Sequence, residues 1–214
     1  MQIVNELAEN YAFDFTSKND IYLQKVYNET IANHPKNHMQ SNWVQGMFLK
    51  SLCKIKQATT VLEIGTFTGF SALCLASGTE ENGLVHTIEC RADDATKALE
   101  NFKNSSQKNK IHLHIGNALD IIQKININWD IVYIDADKTS YIQYVELLLP
   151  KLNKNGLIIA DNVLFHGEVL EENIKGKNPK AIHAFNQYII NHPMLEATTL
   201  TVRDGLMLIQ KKDL

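Results

Sequence analysis

The chain has 214 residues, 44% hydrophobic and 21% charged, with Lys+Arg 21 against Asp+Glu 24 and a net charge of −3. A chain of this length and composition buries a core without staples, which excludes a disordered segment. The mildly acidic balance lacks the basic excess of a dedicated nucleic-acid binder, so no nucleic-acid partner is expected.

The first fifteen residues carry acids early and lack the basic flank and apolar stretch of a secretory signal. No window approaches the roughly 20 apolar residues of a membrane helix, so neither secretion nor membrane contact is expected. Residues 1–59 read as helical with breaks. Ile21, Leu23, Val26, Tyr27 and Ile31 form one helical face, ended by Asn33-His34-Pro35. Trp43, Val44, Met47, Phe48 and Leu52 give a second amphipathic helix. From residue 60 the pattern becomes short apolar runs separated by amphipathic stretches such as Ser140–Leu152 and Lys180–Ile190. The runs are Val61–Ile64, Leu84–Ile88, Ile111–Ile115, Ile131–Ile134, Leu157–Ala160, Thr198–Val202 and Leu206–Ile209. This alternation predicts an α/β domain with a mostly parallel sheet covered on both faces. The turn signal Arg203-Asp204-Gly205 makes the last two runs an antiparallel hairpin. Cys53, Cys74 and Cys90 form no C-x-x-C pair, so each reads as a small buried hydrophobe in a reducing compartment, the cytoplasm.

Chemistry concentrates where the runs end. Val61-Leu62-Glu63-Ile64-Gly65-Thr66-Phe67-Thr68-Gly69-Phe70-Ser71 is a strand, a glycine turn and a helix start. Gly65 permits the sharp turn, and Gly69 is expected to let the backbone pass close to a ligand at the helix N-terminus. The G-x-x-x-G spacing is neither the dinucleotide fingerprint nor a P-loop. Glu89 ends the second run roughly 20 residues on, where an acid accepts the hydroxyls of a ribose diol. Gly116-Asn117-Ala118 ends the third run: an adenine ring could lie there, or Asn117 could simply cap a helix. The fourth run ends Asp135-Ala136-Asp137-Lys138 and the fifth Asp161-Asn162. In a parallel sheet these ends share one edge. Two carboxylates and an amide oxygen are hard donors suited to Mg²⁺, Mn²⁺ or Ca²⁺. Without a cation, two close carboxylates raise one another's pKa. Lys138 reaches the same place, and a lysine beside a cation tends toward a depressed pKa that suits a general base. His166 follows the last acid and is a candidate wall of an acceptor pocket.

Taken in order, VLEIGTFTGFS, HTIE, GNALD, DIVYIDADK and GLIIADNVLFHGEV resemble the cation-dependent class I S-adenosylmethionine O-methyltransferases. This is the family of caffeoyl-CoA O-methyltransferase, with catechol O-methyltransferase more distant. The resemblance runs from about Met39 to Lys211. It implies a Rossmann-like, seven-stranded, mostly parallel sheet with an antiparallel C-terminal hairpin and helices on both faces. It also implies one domain over 1–214, with 1–59 as helical lid and interface and 60–214 as the cofactor-binding core. On matching positions it implies S-adenosylmethionine contacts for Met39, Glu63, Gly65, Phe67, Gly69, Ser71, Glu89, Asn117, Ala118 and Asp135. It implies metal ligation by Asp135, Asp161 and Asn162, with Mg²⁺ first and Mn²⁺ or Ca²⁺ after it, and a catalytic role for Lys138. Gln40, Ser41, Gln45 and Gly46 fall on the segment that closes over the cofactor, and Arg203-Asp204-Gly205 on a loop beside the acceptor. The implied substrate is a small aromatic with vicinal hydroxyls, and the implied assembly a homodimer. The chain departs from the family at Asn117, where an acid is frequent, and at Phe67, where some relatives carry Tyr. It also lacks the plant members' substrate-recognition insertion, which weighs against CoA esters. The rival readings are a nicotinamide-dependent oxidoreductase on a similar sheet and a non-catalytic module that only binds the cofactor.

Overall fold

The computed structural model describes residues 5–213; residues 1–4 and 214 of the expected 1–214 unit lie outside the described residues. Seven strands, β1 (Thr60–Ile64), β2 (Leu84–Glu89), β3 (Ile111–Ile115), β4 (Trp129–Ile134), β5 (Leu152–Asp161), β6 (Leu195–Leu200) and β7 (Leu206–Lys211), form one sheet in the order β3-β2-β1-β4-β5-β7-β6. The first five are parallel, and β7 runs antiparallel to both β5 and β6. Strand order reverses between β1 and β4, which opens a crevice beyond their carboxyl ends.

Several expected boundaries moved, two of them for reasons of backbone chemistry. The stretch Ser140–Leu152 holds only α7 (Tyr141–Leu148) and a short 3₁₀ turn containing Pro150, after which Leu152 already belongs to β5. Proline removes an amide donor and ends the helix. β6 ends at Leu200, before the expected Val202, because the connection to β7 includes Arg203 at φ 51 and Gly205 at φ 85.

The other helices are α1 (Glu6–Asp14), α2 (Ile21–Asn33), α3 (Trp43–Lys56), α4 (Phe70–Gly78), α5 (Ala92–Lys103), α6 (Ala118–Lys124) and α8 (Lys177–Asn191). Alternate side chains of each strand face opposite ways. Val61, Val85, Ile131 and Ile159 pack on the side of α3 and α4, while Leu62, Ile64, Val132 and Ile158 pack on the side of α7 and α8. α4 is buried almost all round because the N-terminal helices cover its outer face: Tyr27 and Trp43 lie 5.1 and 5.7 Å from the Phe70 ring. Thus α2 and α3 join the core, through Leu23, Val26, Trp43 and Leu49, while α1 buries no residue. Cys53 and Cys74 are buried as expected, and burial pushes the Cys53 thiol up to about 12, but Cys90 is exposed beside the crevice. No helix among the described residues is long and apolar enough to cross a membrane.

Candidate active site

A cavity of about 850 Å³ lies over the carboxyl ends of β1, β2, β3 and β4. Its floor is the turn from β1 into α4. Gly65 sits there at φ 101, and a Cβ on it would strike the Asp135 carbonyl oxygen. Only glycine therefore lets the end of β1 lie against the end of β4, where the Asp135 amide donates to the Ile64 carbonyl at 2.9 Å. The Phe67 amide donates to Glu89 Oε2 at 2.7 Å and the Arg91 amide to Oε1 at 2.9 Å. The turn thus fixes the Glu89 carboxylate at the cavity wall: Oε1 also accepts from Cys90 Sγ at 3.7 Å and lies 3.6 Å from Arg91 Nε, while Oε2 keeps a lone pair for a further donor. Gly69, expected beside a ligand, packs against a helix. It lies off the cavity, and a Cβ there would meet the Phe102 ring and Ala98, so it clears space for α5.

Glu63 lies beneath the wall, fully buried. The Thr87 hydroxyl donates to its Oε2, while Oε1 has no partner. Burial pushes its carboxyl up to about 8, against the pull of the Ser71 and Thr87 hydroxyls. An orphaned oxygen of this kind costs about 1–3 kcal/mol; Glu63, expected to contact the cofactor, does not itself line the cavity. Met39, Gly65, Phe67, Ser71, Glu89 and Ala118 line the cavity. Asn117 lines it too, but its side chain caps α6 by accepting from the Leu119 amide at 2.8 Å, so the capping alternative is realised.

The acids gather at the other end. Pairing of Ile134 with Ala160 places Asp135 and Asp161 side by side at the exits of β4 and β5. Asp135 and Asn162 face the cavity, whereas Asp161 stands behind them at 1% exposure. Asp161 Oδ2 accepts from Gln45 Nε2 at 2.6 Å and from the Tyr133 hydroxyl at 2.9 Å. Burial pushes its carboxyl up to about 6, and the neighbouring Asp135 adds to the rise. Asn162 Nδ2 donates to Asp204 Oδ2 at 2.9 Å, which leaves Oδ1 without a donor among the described residues. Among the described residues no three His, Cys, Asp or Glu side chains are placed to hold a metal. The set available is two carboxylates and an amide oxygen, an all-oxygen donor set that fits a hard dication.

Lys138 lies between Asp135 Oδ1 at 3.0 Å and the Tyr141 hydroxyl at 2.7 Å. Burial alone lowers its pKa, but Tyr141, Asp135 and Asp161 more than reverse this and hold the ammonium above its ordinary value. With Asp135 as its counter-ion Lys138 is held as the ammonium; the depressed pKa expected beside a bound cation concerns the metal-loaded site. His166 lines the cavity with an exposed ring, and its amide donates to Asp204 Oδ1 at 2.5 Å.

Four contributors escape a linear reading. Tyr133 looks like a core residue of an apolar strand, yet its hydroxyl holds Asp161 and meets Ser41 at 3.2 Å. Tyr141 looks like a helix start, yet its hydroxyl receives Lys138. Arg91 lies over the Phe67 ring at 5.7 Å, and Phe165 joins the wall beside His166. The polar tip on an otherwise apolar strand was the one available signal for Tyr133. Gln45 belongs to the expected lid segment, but its bridge from Asp161 to Arg203 Nη1 (3.2 Å) is visible only in three dimensions.

Residues 14–212 match the family model described as O-methyltransferase. The chain is 32% identical to a Dictyostelium discoideum protein named "Probable caffeoyl-CoA O-methyltransferase 1", over 97% of this chain and 93% of that one. It is 30% identical to the catechol O-methyltransferase of Niastella koreensis, over 91% and 90%. The Bacillus cereus O-methyltransferase, solved in complex with SAH, superposes with a TM-score of 0.87 at 30% identity, covering 96% of this chain and 97% of that one. Together with the sheet order, the glycine turn and the strand-end acids, these matches show that the chain belongs to the O-methyltransferase family.

Proposed function

We propose that this protein transfers the methyl group of S-adenosylmethionine to one hydroxyl of a small catechol-like aromatic, with a divalent cation, Mg²⁺ first, at Asp135, Asp161 and Asn162. The observation that carries this reading is that one cavity joins the Glu89 carboxylate at one end to Asp135, Lys138 and Asn162 at the other. Its volume falls within the roughly 300–1,000 Å³ of small-molecule sites. The SAH-bound relative and the relative named for catechol support the choice of cofactor and acceptor.

The cation supplies positive charge that lowers the pKa of an acceptor hydroxyl. Glu89 accepts the ribose hydroxyls, while Phe67 and Ala118 flank the nucleoside. Glu63, Ser71 and the Gly65 turn receive the methionine end. Asp135 at the junction orients both halves, so positioning carries much of the rate. Were Asp135 to hold a cation, Lys138 would lose an acid partner, and its burial, which favours the neutral amine, would be less opposed. Lys138 then takes the hydroxyl proton. Met39, Gln40 and Ser41 at the cavity mouth support the lid reading of residues 1–59, as a segment of one domain with the core. Exposed Leu7, Tyr11, Phe15 and Ile21 on the same segment support a homodimer, which light scattering of the eluting protein tests. Three free cysteines fit a reducing cytoplasm.

The deciding experiment incubates the protein with methyl-labelled S-adenosylmethionine and a panel of catechols, hydroxycinnamates, CoA esters and flavonoids, with Mg²⁺, Mn²⁺ or Ca²⁺. Label is expected on a catechol, with turnover stopped by EDTA and by Asp161→Ala. Full activity after exhaustive chelation removes the cation. Cofactor binding without turnover on any acceptor leaves a binding module.

A further inference from the structure

At the β3 edge of the sheet, outside the cavity, three histidines share a face that the proposed reaction does not use. His86 on β2 pairs in register with His112 on β3, and His114 follows two residues on, so all three side chains project on one side. His86 Nδ1 lies 2.9 Å from His114 Nε2, with the two ring planes within 17° of each other. The His112 ring centroid is 5.0 Å from that of His86. Trp129, buried, stands edge-on to His86 at 5.5 Å and leaves its Nε1 without a partner.

We propose that His86 and His114, with His112 as a third donor, form a binding site for a borderline transition-metal dication, Cu²⁺ or Ni²⁺ ahead of Zn²⁺, separate from the oxygen-donor acids of the cavity. The chemistry selects the ion. Imidazole nitrogens suit copper, nickel and zinc, while Mg²⁺ and Ca²⁺ require oxygen. The spacing is close to that of a chelating pair. Two imidazole nitrogens at about 2.05 Å from one ion stand about 2.9 Å apart when cis at a right angle, and about 3.3 Å apart at the tetrahedral angle. The separation of 2.9 Å matches the first, the arrangement of square-planar or octahedral Cu²⁺ and Ni²⁺.

The state of the pair also favours a ligand. A hydrogen bond between two imidazoles requires one of the facing nitrogens to carry no proton, so one lone pair is already exposed. The bridging hydrogen can move to the far nitrogen of its own ring, so a second lone pair forms by a tautomer change with no net loss of a proton. A tilt of the two rings then aims both lone pairs at one point. In the structure the three rings do not converge on a common centre, which makes this a two-nitrogen chelate completed by a swing of the exposed His112. The ladder between β2 and β3 holds both backbones, so the ring torsions are the freedom lost on binding.

Tag-free protein in excess Mg²⁺ is titrated with Ni²⁺ and with Cu²⁺ by calorimetry, alongside His114→Gln and His112→Gln. One ion is expected per histidine cluster. Loss of an outer-sphere partner alone costs about 10–100-fold in affinity, so removing the His114 ligand is expected to cost at least about tenfold, and removing His112 less. The Cu²⁺ complex of the unaltered protein is expected to show coupling to at least two imidazole nitrogens by electron paramagnetic resonance. It is also expected to quench Trp129 fluorescence in a saturable manner. Methyl transfer by His114→Gln is expected to remain unchanged. Unchanged Ni²⁺ affinity in His114→Gln, oxygen-only coupling, or no saturable quenching overturns the proposal. Should His114→Gln fail to fold, the resonance and quenching measurements on the unaltered protein decide.

Discussion

The substitution Glu63→Gln tests the electrostatics of the cofactor end in isolation. The Glu63 carboxyl is pushed up to about 8 from an ordinary value of 4.5, first by burial and then by Asp135 and Glu89. A carboxyl raised in the folded state contributes stability that is fully present below the unfolded value and is lost as pH rises through the folded value. The window therefore runs from about 4.5 to about 8. Across it, each unit of pH costs the native protein up to about 1.4 kcal/mol, with a ceiling of about 5 kcal/mol once the folded carboxyl ionises. The glutamine amide resembles the protonated acid in shape and cannot titrate. The difference in stability between variant and parent is thus expected to grow in favour of the variant by about 2–3 kcal/mol between about pH 5 and pH 7. For a chain of this size that is a relative gain of about 5–10 °C in melting temperature. Asp161, raised to about 6, slopes the same way but is common to both proteins and cancels. Thermal and urea melts of both proteins at matched ionic strength read the difference. Adding S-adenosylmethionine should flatten the parent's slope, because an ammonium beside Glu63 favours its charged form. Parallel stability curves for parent and variant from about pH 5 to pH 9 would show that Glu63 ionises freely and refute the reasoning.

Other substitutions probe the remaining joints of the site. Gly65→Ala forces a side chain into a left-handed turn and against the Asp135 carbonyl, so a loss of about 2–5 kcal/mol is expected in the urea midpoint; a loss under about 1 kcal/mol contradicts the close approach. Tyr133→Phe removes a donor to the buried Asp161 carboxylate, with an expected cost of about 1.5–3 kcal/mol, read by denaturation at neutral pH. Lys138→Met is expected to lower kcat by about 10²–10⁴ while leaving S-adenosylmethionine binding intact by calorimetry. Equal losses in binding and turnover would make Lys138 a packing residue. Gln45→Ala cuts the bridge between Arg203 and Asp161, and weaker Mg²⁺ binding with little change in S-adenosylmethionine affinity is the expected pattern.

The fold was legible because its signals are local. Alternation of apolar runs, a glycine at the end of the first and acids at the ends of later ones identify a parallel sheet and its ligand-bearing edge without any long-range information. Boundaries failed where backbone chemistry overrode side-chain pattern, as at Pro150 and at the positive-φ Arg203. Gly69 shows a related ambiguity. A glycine in a ligand turn looks the same in one dimension whether it clears a cofactor or, as here, the Phe102 ring of α5.

By itself, the sequence determined the strand-helix alternation, the family and the oxygen character of the strand-end donor set, since each depends on residue type and spacing along the chain. The tertiary structure decided which of those residues touch. It set Asp161 behind Asp135 and Asn162, fastened it to Gln45 and Tyr133, and gave Lys138 an acid that keeps it charged. It also brought His86 against His114, residues 28 apart in the chain. Burial and pairing fix protonation and orientation, and both depend on neighbours that only a closed sheet supplies.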